Sequence, residues 1–428
     1  MRKILVCALA LALACSMAFA NGANEAAAPA QQTAGPVTVR ILTTATTQNP
    51  EGPLAKEYIA AFEAANPDIK IEIEDTDNNN ALKKITTLAA AGSLPDLFIS
   101  TENTIGKLYD MGICDDMTPF MSQAELDNIL DAVREGCTID GQLVMYPWYS
   151  APNALVYRTD WLEAKGLKAP KTLEEMREVA KALTGDGKYG FGLIGTADDS
   201  GETRFVMILR SFGARELYEE NGVWKTEIGS PESVEAFKYF CGLKNVDNVV
   251  PPGALENSFN QNVSLFAQEQ IGLLIAGSNA VGKIFAANPD LKGKVGSVQM
   301  PSAKTSYTPV SILGWSLNPE SKVKDAAMKF AKFLSNKENS IKWVEVTGRM
   351  PDMKDANSES EYLNSPLMQG FVAGAASMNL APAAPFYADV KTVLGRTYQK
   401  IMSDPSLNIE AEVQAAAKEI NKIIADNT

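Results

Sequence analysis

Histidine is absent from all 428 residues. That absence excludes Ser-His-Asp and Cys-His catalysis, His-ligated zinc and imidazole-based pH switching. Carboxylate, Ser-Lys and oxygen-ligand metal chemistry stay open. Basic residues are outnumbered, with 39 Lys and Arg against 52 Asp and Glu and a net charge of -13. Such a chain repels phosphate backbones and anionic headgroups, which argues against nucleic acid or a lipid surface as partner. Long apolar runs are also missing. Ile4 to Leu13 is too short to span a bilayer, and no later run approaches about 18 residues. Cysteine is scarce at five.

The early apolar run has another reading. Arg2 and Lys3 precede it and Ala18-Phe19-Ala20 follows it, the pattern of a secretory signal peptide over residues 1–20. A rival address is Ala12-Leu13-Ala14-Cys15, which partly resembles a lipoprotein processing box and would leave a lipid anchor at Cys15. Either way the chain is expected to be exported to the periplasm or another extracytoplasmic space. Residues 21–36 have little to bury and are expected to form a flexible leader. Cleavage after Ala20 would remove Cys7 and Cys15 and leave Cys114, Cys137 and Cys241. An odd number rules out a disulfide scaffold. A Cys114–Cys137 bridge and buried free thiols both remain open.

A chain of this length exceeds what one hydrophobic core supports, so two lobes or domains are expected. Val37 to Thr44 alternates as a strand, and a helix with Leu54, Tyr58, Ala61 and Phe62 on one face ends near Asn66-Pro67. Ile69, Ile71 and Ile73 alternate again, so the opening predicts a βαβ unit and a parallel sheet. A helix over 81–91 and a short strand over 96–100 follow. Ligands in open α/β sheets bind outside the carboxyl ends of strands. That singles out three polar loops, 43–48, 75–80 and 100–103, although Ser, Thr and Asn also simply make turns. Farther on, Thr172 to Glu175 reads as a capping box and Ser230-Pro231 as a helix start. Ile271 to Ala276 reads as a buried strand, and helices are expected over 322–334 and through Val413, Ala417, Ile420 and Ile424.

The stretch Tyr146 to Arg158 carries four aromatics and two prolines in thirteen residues. Proline biases it toward extended backbone. It reads as a sugar-stacking surface, as a strand crossing between lobes, or as a plain buried strand. Trp148, Tyr149 and Trp315 are candidate platforms, with Tyr387 beside them; Trp161, Trp224 and Trp343 read as packing. Three motifs read as decoys. Gly190 to Gly195 satisfies G-x-G-x-x-G, but Thr196-Ala197-Asp198-Asp199-Ser200-Gly201 follows where a helix is needed. Asp75, Asp77 and Asn79 begin like a calcium loop, yet Asn80 and Thr86 stand where glycine and glutamate are required. Ser321 and Lys324 have Ser-Lys spacing at a helix cap. No spacing selects a carboxylate pair, so a glycosidase is not excluded.

Taken in order, several segments resemble the extracellular solute-binding proteins of carbohydrate ABC transporters, the maltose-binding-like family 1. They are Phe62 to Pro67, Leu94 to Phe98, Tyr146 to Trp148, Leu155 to Asp160, Gly166 to Leu173, Ala326 to Phe330 and Thr347 to Pro351. Arg158 stands where the family usually has asparagine, and Asn279 where it has tryptophan. The resemblance implies an α/β, two-lobed periplasmic-binding-protein fold, with a hinge crossed about three times and a ligand cleft between the lobes. The crossings are expected near 149–153, 311–315 and 348–351. The N-terminal lobe would be 38–150 plus 315–350 and the C-terminal lobe 151–314 plus 351–428. By similarity the ligand would meet Thr44, Asn79, Ser100, Glu102, Asn103, Trp148, Tyr149, Ser278, Asn279, Gly314, Trp315, Arg349 and Tyr387. The implied function is capture of a mono- or oligosaccharide by a monomer, without cofactor, metal or catalysis, for delivery to membrane permease subunits. The alternatives are a secreted carbohydrate-active enzyme, or an ABC receptor for a polyamine, phosphate ester or peptide.

Overall fold

The computed structural model describes residues 35–428 except Asn79, Val310, Ser377 and Ala383. The expected signal peptide, the Cys15 anchor and residues 21–34 of the leader lie outside the described residues. Among the described residues no helix is long and apolar enough to cross a membrane.

The first lobe begins as its hydrophobic alternation predicts. Strand β1 (Val37–Thr43) leads through α1 (Glu51–Ala65) to β2 (Ile69–Asp75), which pairs parallel with β1 along its whole length. Helix α2 (Ala81–Ala90) stops at Gly92, whose φ of +64° is the left-handed conformation that glycine tolerates best. Strand β3 (Leu97–Thr101) then pairs parallel with β1, and α3 (Glu102–Asp110) follows. On α1 the buried stripe is Leu54, Ala55, Tyr58 and Phe62. Ala61, expected inside, is exposed, because Ala55 completes the stripe instead. Since β2 is the sheet edge, burial fades along it and Ile73 is left 37% exposed.

Strand β4 (Tyr146–Ser150) ends the first passage, and β5 (Asn153–Arg158) opens the second lobe. That lobe continues through α4 (Leu173–Leu183), β6 (Tyr189–Gly192), α5 (Asp199–Phe212) and α6 (Pro231–Asn245). Next come β7 (Ile271–Gly277), α7 (Asn279–Ala287) and β8 (Val295–Val298). The chain returns with β9 (Ile312–Leu317), α8 (Lys324–Leu334), α9 (Lys337–Thr347) and β10 (Met350–Pro351). It finishes in the second lobe as α10 (Tyr387–Ser403) and α11 (Ile409–Asn427). One sheet has the order β10-β4-β9-β3-β1-β2 and the other β8-β5-β7-β6. Strand β9 runs antiparallel to β3 and β4, and β5 antiparallel to β7 and β8.

Each sheet has its own core, and the second-lobe core also takes in Val344 of α9 and Met350 of β10. The first-lobe core takes residues from Val39 to Tyr149 and again from Ile312 to Ala356. Phe62 meets Phe330 edge-on at 5.1 Å, which pins α1 to α8. At the base of this lobe Trp148 stacks on Trp315 at 5.4 Å and meets Trp343 at 4.7 Å. In the second lobe Phe205 of α5 lies 4.3 Å from Phe237 and 5.5 Å from Tyr398. Around the third crossing the two cores interleave: Met353 and Ala356 pack in the first-lobe core, while Val344, Met350 and Leu363 pack in a second-lobe core.

Several of the expectations need correction or completion. Gly190 and Gly192 belong to strand β6, as expected, while Gly195 lies beyond its end; a Cβ at Gly190 would lie 1.8 Å from the Ala180 carbonyl oxygen, so glycine permits β6 to touch α4. A helix nevertheless follows at Asp199, because Asp198 is its N-cap and accepts from the Gly201 N–H at 2.9 Å. Cys114, Cys137 and Cys241 are buried free thiols, and no Cys114–Cys137 bridge is formed. Ser321 donates to Asp96 Oδ1 at 2.6 Å and accepts from the Val323 N–H at 3.2 Å, so it serves the start of α8 rather than a Ser-Lys pair.

Trp315→Ala is expected to lower the unfolding free energy by about 3–5 kcal/mol, seen as an earlier denaturant midpoint. An unshifted midpoint would show that the tryptophan cluster does not hold the first lobe together.

Candidate functional site

A cavity of roughly 400 Å³ opens between the lobes. The first lobe contributes Asn78, Glu102, Asn103 and Arg349, and the crossing segments contribute Ala151, Asn153 and Ser311. From the second lobe come Asp199, Ser200, Thr203 and Arg204 on α5, with Phe259, Asn279, Tyr307, Tyr387 and Lys391. Strand-end loops therefore supply the first-lobe side, as open α/β sheets dictate. Of the three loops singled out, those after β2 and β3 reach the cavity. The loop after β1 is packed beneath it, where the Thr46 hydroxyl donates to Asp75.

Five expected residues line the cavity: Glu102, Asn103, Asn279, Arg349 and Tyr387. The rest are placed elsewhere, and Asn79 lies outside the described residues. Thr44 is buried. Ser100 is tied to Ser316 through a hydroxyl pair at 2.7 Å. The N–H of Ser278 donates to the Pro152 carbonyl at 3.0 Å, and its side chain is buried. Gly314 lets β9 approach β4, since a Cβ there would lie 2.4 Å from the Tyr146 carbonyl oxygen. Trp148, Tyr149 and Trp315 stand behind the wall rather than on it. The physical reason is that β4 is an interior strand with all five residues buried, so its aromatics pack in the lobe core. Tyr149 still serves the site indirectly, because the Arg349 guanidinium lies over its ring at 4.6 Å.

The aromatic faces that do reach the cavity are Phe259, Tyr307 and Tyr387. Reading the chain missed the first two, together with Asp199, Ser200, Thr203, Arg204 and Lys391. Two signals were present. Asp198 ahead of Phe205, Leu209 and Phe212 announces α5, and Ser258 with Gln261 is a capping box opening the helix Phe259–Ala267. Tyr307 sits in an irregular polar segment and gave no signal.

Most charges on this wall are already paired. Arg349 Nε donates to Glu51 Oε1 at 2.9 Å, and Lys391 pairs with Asp199. The Tyr387 hydroxyl donates to Glu216 Oε1 at 3.0 Å, and Glu216 is also held by Arg210. Glu102 accepts from the Ile312 N–H at 2.7 Å, which opposes but does not cancel the burial that pushes its carboxyl up to about 8. Burial likewise raises Glu202, next to Lys391, to about 7. The arrangement offers polar groups in many directions and three aromatic faces.

A family model described as "Bacterial extracellular solute-binding protein" matches residues 45–341. The chain is 24% identical over 385 residues to a maltotriose-binding protein of Pyrococcus abyssi, covering 87% of this chain and 78% of that one. It is 27% identical over 313 residues to a mannitol-binding protein of Pseudomonas aeruginosa, covering 69% of each. The fold superposes on maltose-bound MalE3 of T. maritima with a TM-score of 0.81 at 23% identity, covering 90% of this chain and 100% of that one.

Glu102 makes the site pH-sensitive in a defined direction. Its folded value near 8 exceeds the ordinary 4.5, so its contribution is complete below about 4.5 and is lost as pH rises through about 8. Glu102→Gln removes that titration. The stability difference, parent minus variant, is therefore expected to fall between pH 5 and pH 8.5 in denaturant titrations; parallel pH curves would contradict the shift.

Proposed function

Because this chain belongs to the bacterial extracellular solute-binding proteins, we propose that it captures a sugar outside the cytoplasmic membrane and delivers it to the permease of an ABC importer. The observation that carries this reading is the interlobe cavity itself. Its roughly 400 Å³ lies in the range of small-ligand sites, about 300–1,000 Å³. Its walls combine the two features a saccharide needs. Sugar C–H faces pack against Phe259, Tyr307 and Tyr387, and sugar hydroxyls pair with Glu102, Asn103, Asn279 and the cavity-facing edge of Arg349. Relatives named for maltotriose and mannitol support a polyhydroxylated ligand.

Binding works by closure. A ligand touching both lobes favours the closed arrangement only by the difference between its affinities for closed and open states. Contacts divided between α3 and α5 supply that difference, because neither lobe alone makes the full set. The receptor acts as a monomer, uses no cofactor and makes or breaks no bond. An affinity near 1 μM, about -8 kcal/mol, suits capture followed by release.

A thermal-shift panel of mono-, di- and trisaccharides and polyols is expected to give at least one strong stabiliser, worth about 2.7 kcal/mol at a hundredfold excess over Kd. Asn279→Ala should weaken that ligand about tenfold, as for one lost hydrogen bond to a polar ligand, and leave the ligand-free melting temperature in place. A panel in which amino acids or polyamines stabilise and no sugar or polyol does would overturn the assignment.

A further inference from the structure

Four arginines of the second lobe are satisfied in one way. Arg158, Arg177, Arg210 and Arg215 each hold a carboxylate side-on, with Nε and Nη2 donating to its two oxygens. For Arg177 and Asp247 the two bonds are 2.6 and 2.9 Å, and for Arg210 and Glu216 they are also 2.6 and 2.9 Å. Arg158 holds Asp160 at 2.8 and 2.6 Å, and Arg215 holds Glu227 at 3.1 and 2.6 Å. This fork matches the plane and spacing of a carboxylate.

Arg204 has the same edge with nothing on it. Its Nη1 donates to the Ser200 carbonyl at 3.1 Å and to Ser200 Oγ at 3.0 Å, which fixes the guanidinium on the cavity wall. Phe259 backs it, 5.5 Å from the ring centroid. Its Nε is buried without a partner. Asp198 and Asp199 are near enough to favour its charge, but among the described residues no carboxylate comes within ion-pair distance of it. The other charges on the wall are accounted for. Arg349 is paired with Glu51 and Lys391 with Asp199, and burial holds the Glu102 carboxyl largely protonated at neutral pH. One cation therefore faces the cavity without a counter-charge. A guanidinium left so when the cleft closes is costly, and an oxyanion on the ligand would remove the penalty.

We propose that the ligand is an acidic saccharide, a sugar bearing a carboxylate, and that Arg204 holds this carboxylate side-on through Nε and Nη2. The inference rests on the sugar-receptor reading and adds the charge of the ligand. A sulfate or phosphate ester offers the same oxyanion edge; carboxylate is favoured because it is what every matching fork in this lobe holds.

The test is calorimetric titration of the full mature chain with glucuronate, galacturonate and digalacturonate. Each is compared with its neutral parent sugar, its methyl ester and the corresponding sugar phosphate. At least one uronate is expected to bind about tenfold tighter than its neutral parent and its ester. Arg204→Gln should bring that ratio below about threefold, and Arg204→Lys, which keeps the charge and loses the fork, should fall between. If Arg204→Gln does not fold, the acid-to-ester ratio of the unaltered protein decides alone. A neutral sugar that binds as tightly as its uronate overturns this inference and leaves the sugar receptor standing. Preference for the sugar phosphate overturns the carboxylate assignment. Binding of no saccharide of either kind overturns both readings.

Discussion

The structure depends on a two-residue step, Ala151–Pro152. On one side of it β4 lies between β10 and β9 in the first sheet, and on the other β5 lies between β8 and β7 in the second. The step is itself hydrogen-bonded, with the Ala151 N–H donating to the Ser311 carbonyl at 2.9 Å and the Pro152 carbonyl accepting from Ser278 at 3.0 Å. Interior strands of both sheets are thus one continuous extended segment. Proline suits the place because its ring restricts φ and its missing N–H is not called upon. Whatever rotates one lobe against the other must act through backbone that both sheets clamp.

From that step the position of the cavity follows. The segments that cross between lobes converge at it, so Ala151, Asn153 and Ser311 form its floor. The two walls are then the ends of elements that meet the crossing: the start of α3 with Glu102 and Asn103, and the start of α5 with Asp199 to Arg204. Side chains on helix starts are held by hydrogen-bonded backbone. The Thr101–Thr104 box and the Asp198 cap fix where those polar groups point.

Much of this was legible in the chain. Alternation in Val37–Thr43 and Ile69–Asp75 gave the parallel start of the sheet, whereas the prolines of Tyr146 to Asn153 indicated only extended backbone and the crossing there came from the family resemblance. The five cavity residues that were named sit at strand or helix ends, where position along the chain predicts position in space. What failed was side-chain direction. Trp148 and Trp315 have the right chemistry for a sugar platform, but a strand covered on both faces turns every side chain into core. Recognition of which strands are interior requires the order of strands, and β9 reaches its place between β3 and β4 from more than 150 residues away. Tyr307 was invisible for a related reason: an irregular segment carries no periodicity that aims a ring.

The indole cluster behind the wall has an optical consequence. Trp148, Trp315 and Trp343 sit with neighbouring rings about 5 Å apart, and their N–H groups have no partner among the described residues. They should absorb and emit as one coupled chromophore in an oil-like medium, shielded from quenchers in the solvent. Trp161 and Trp224 belong to the other lobe and are partly exposed. The protein thereby carries two spectrally separable populations, one in each lobe, and the coupled set reaches to within three residues of the step about which the lobes are joined.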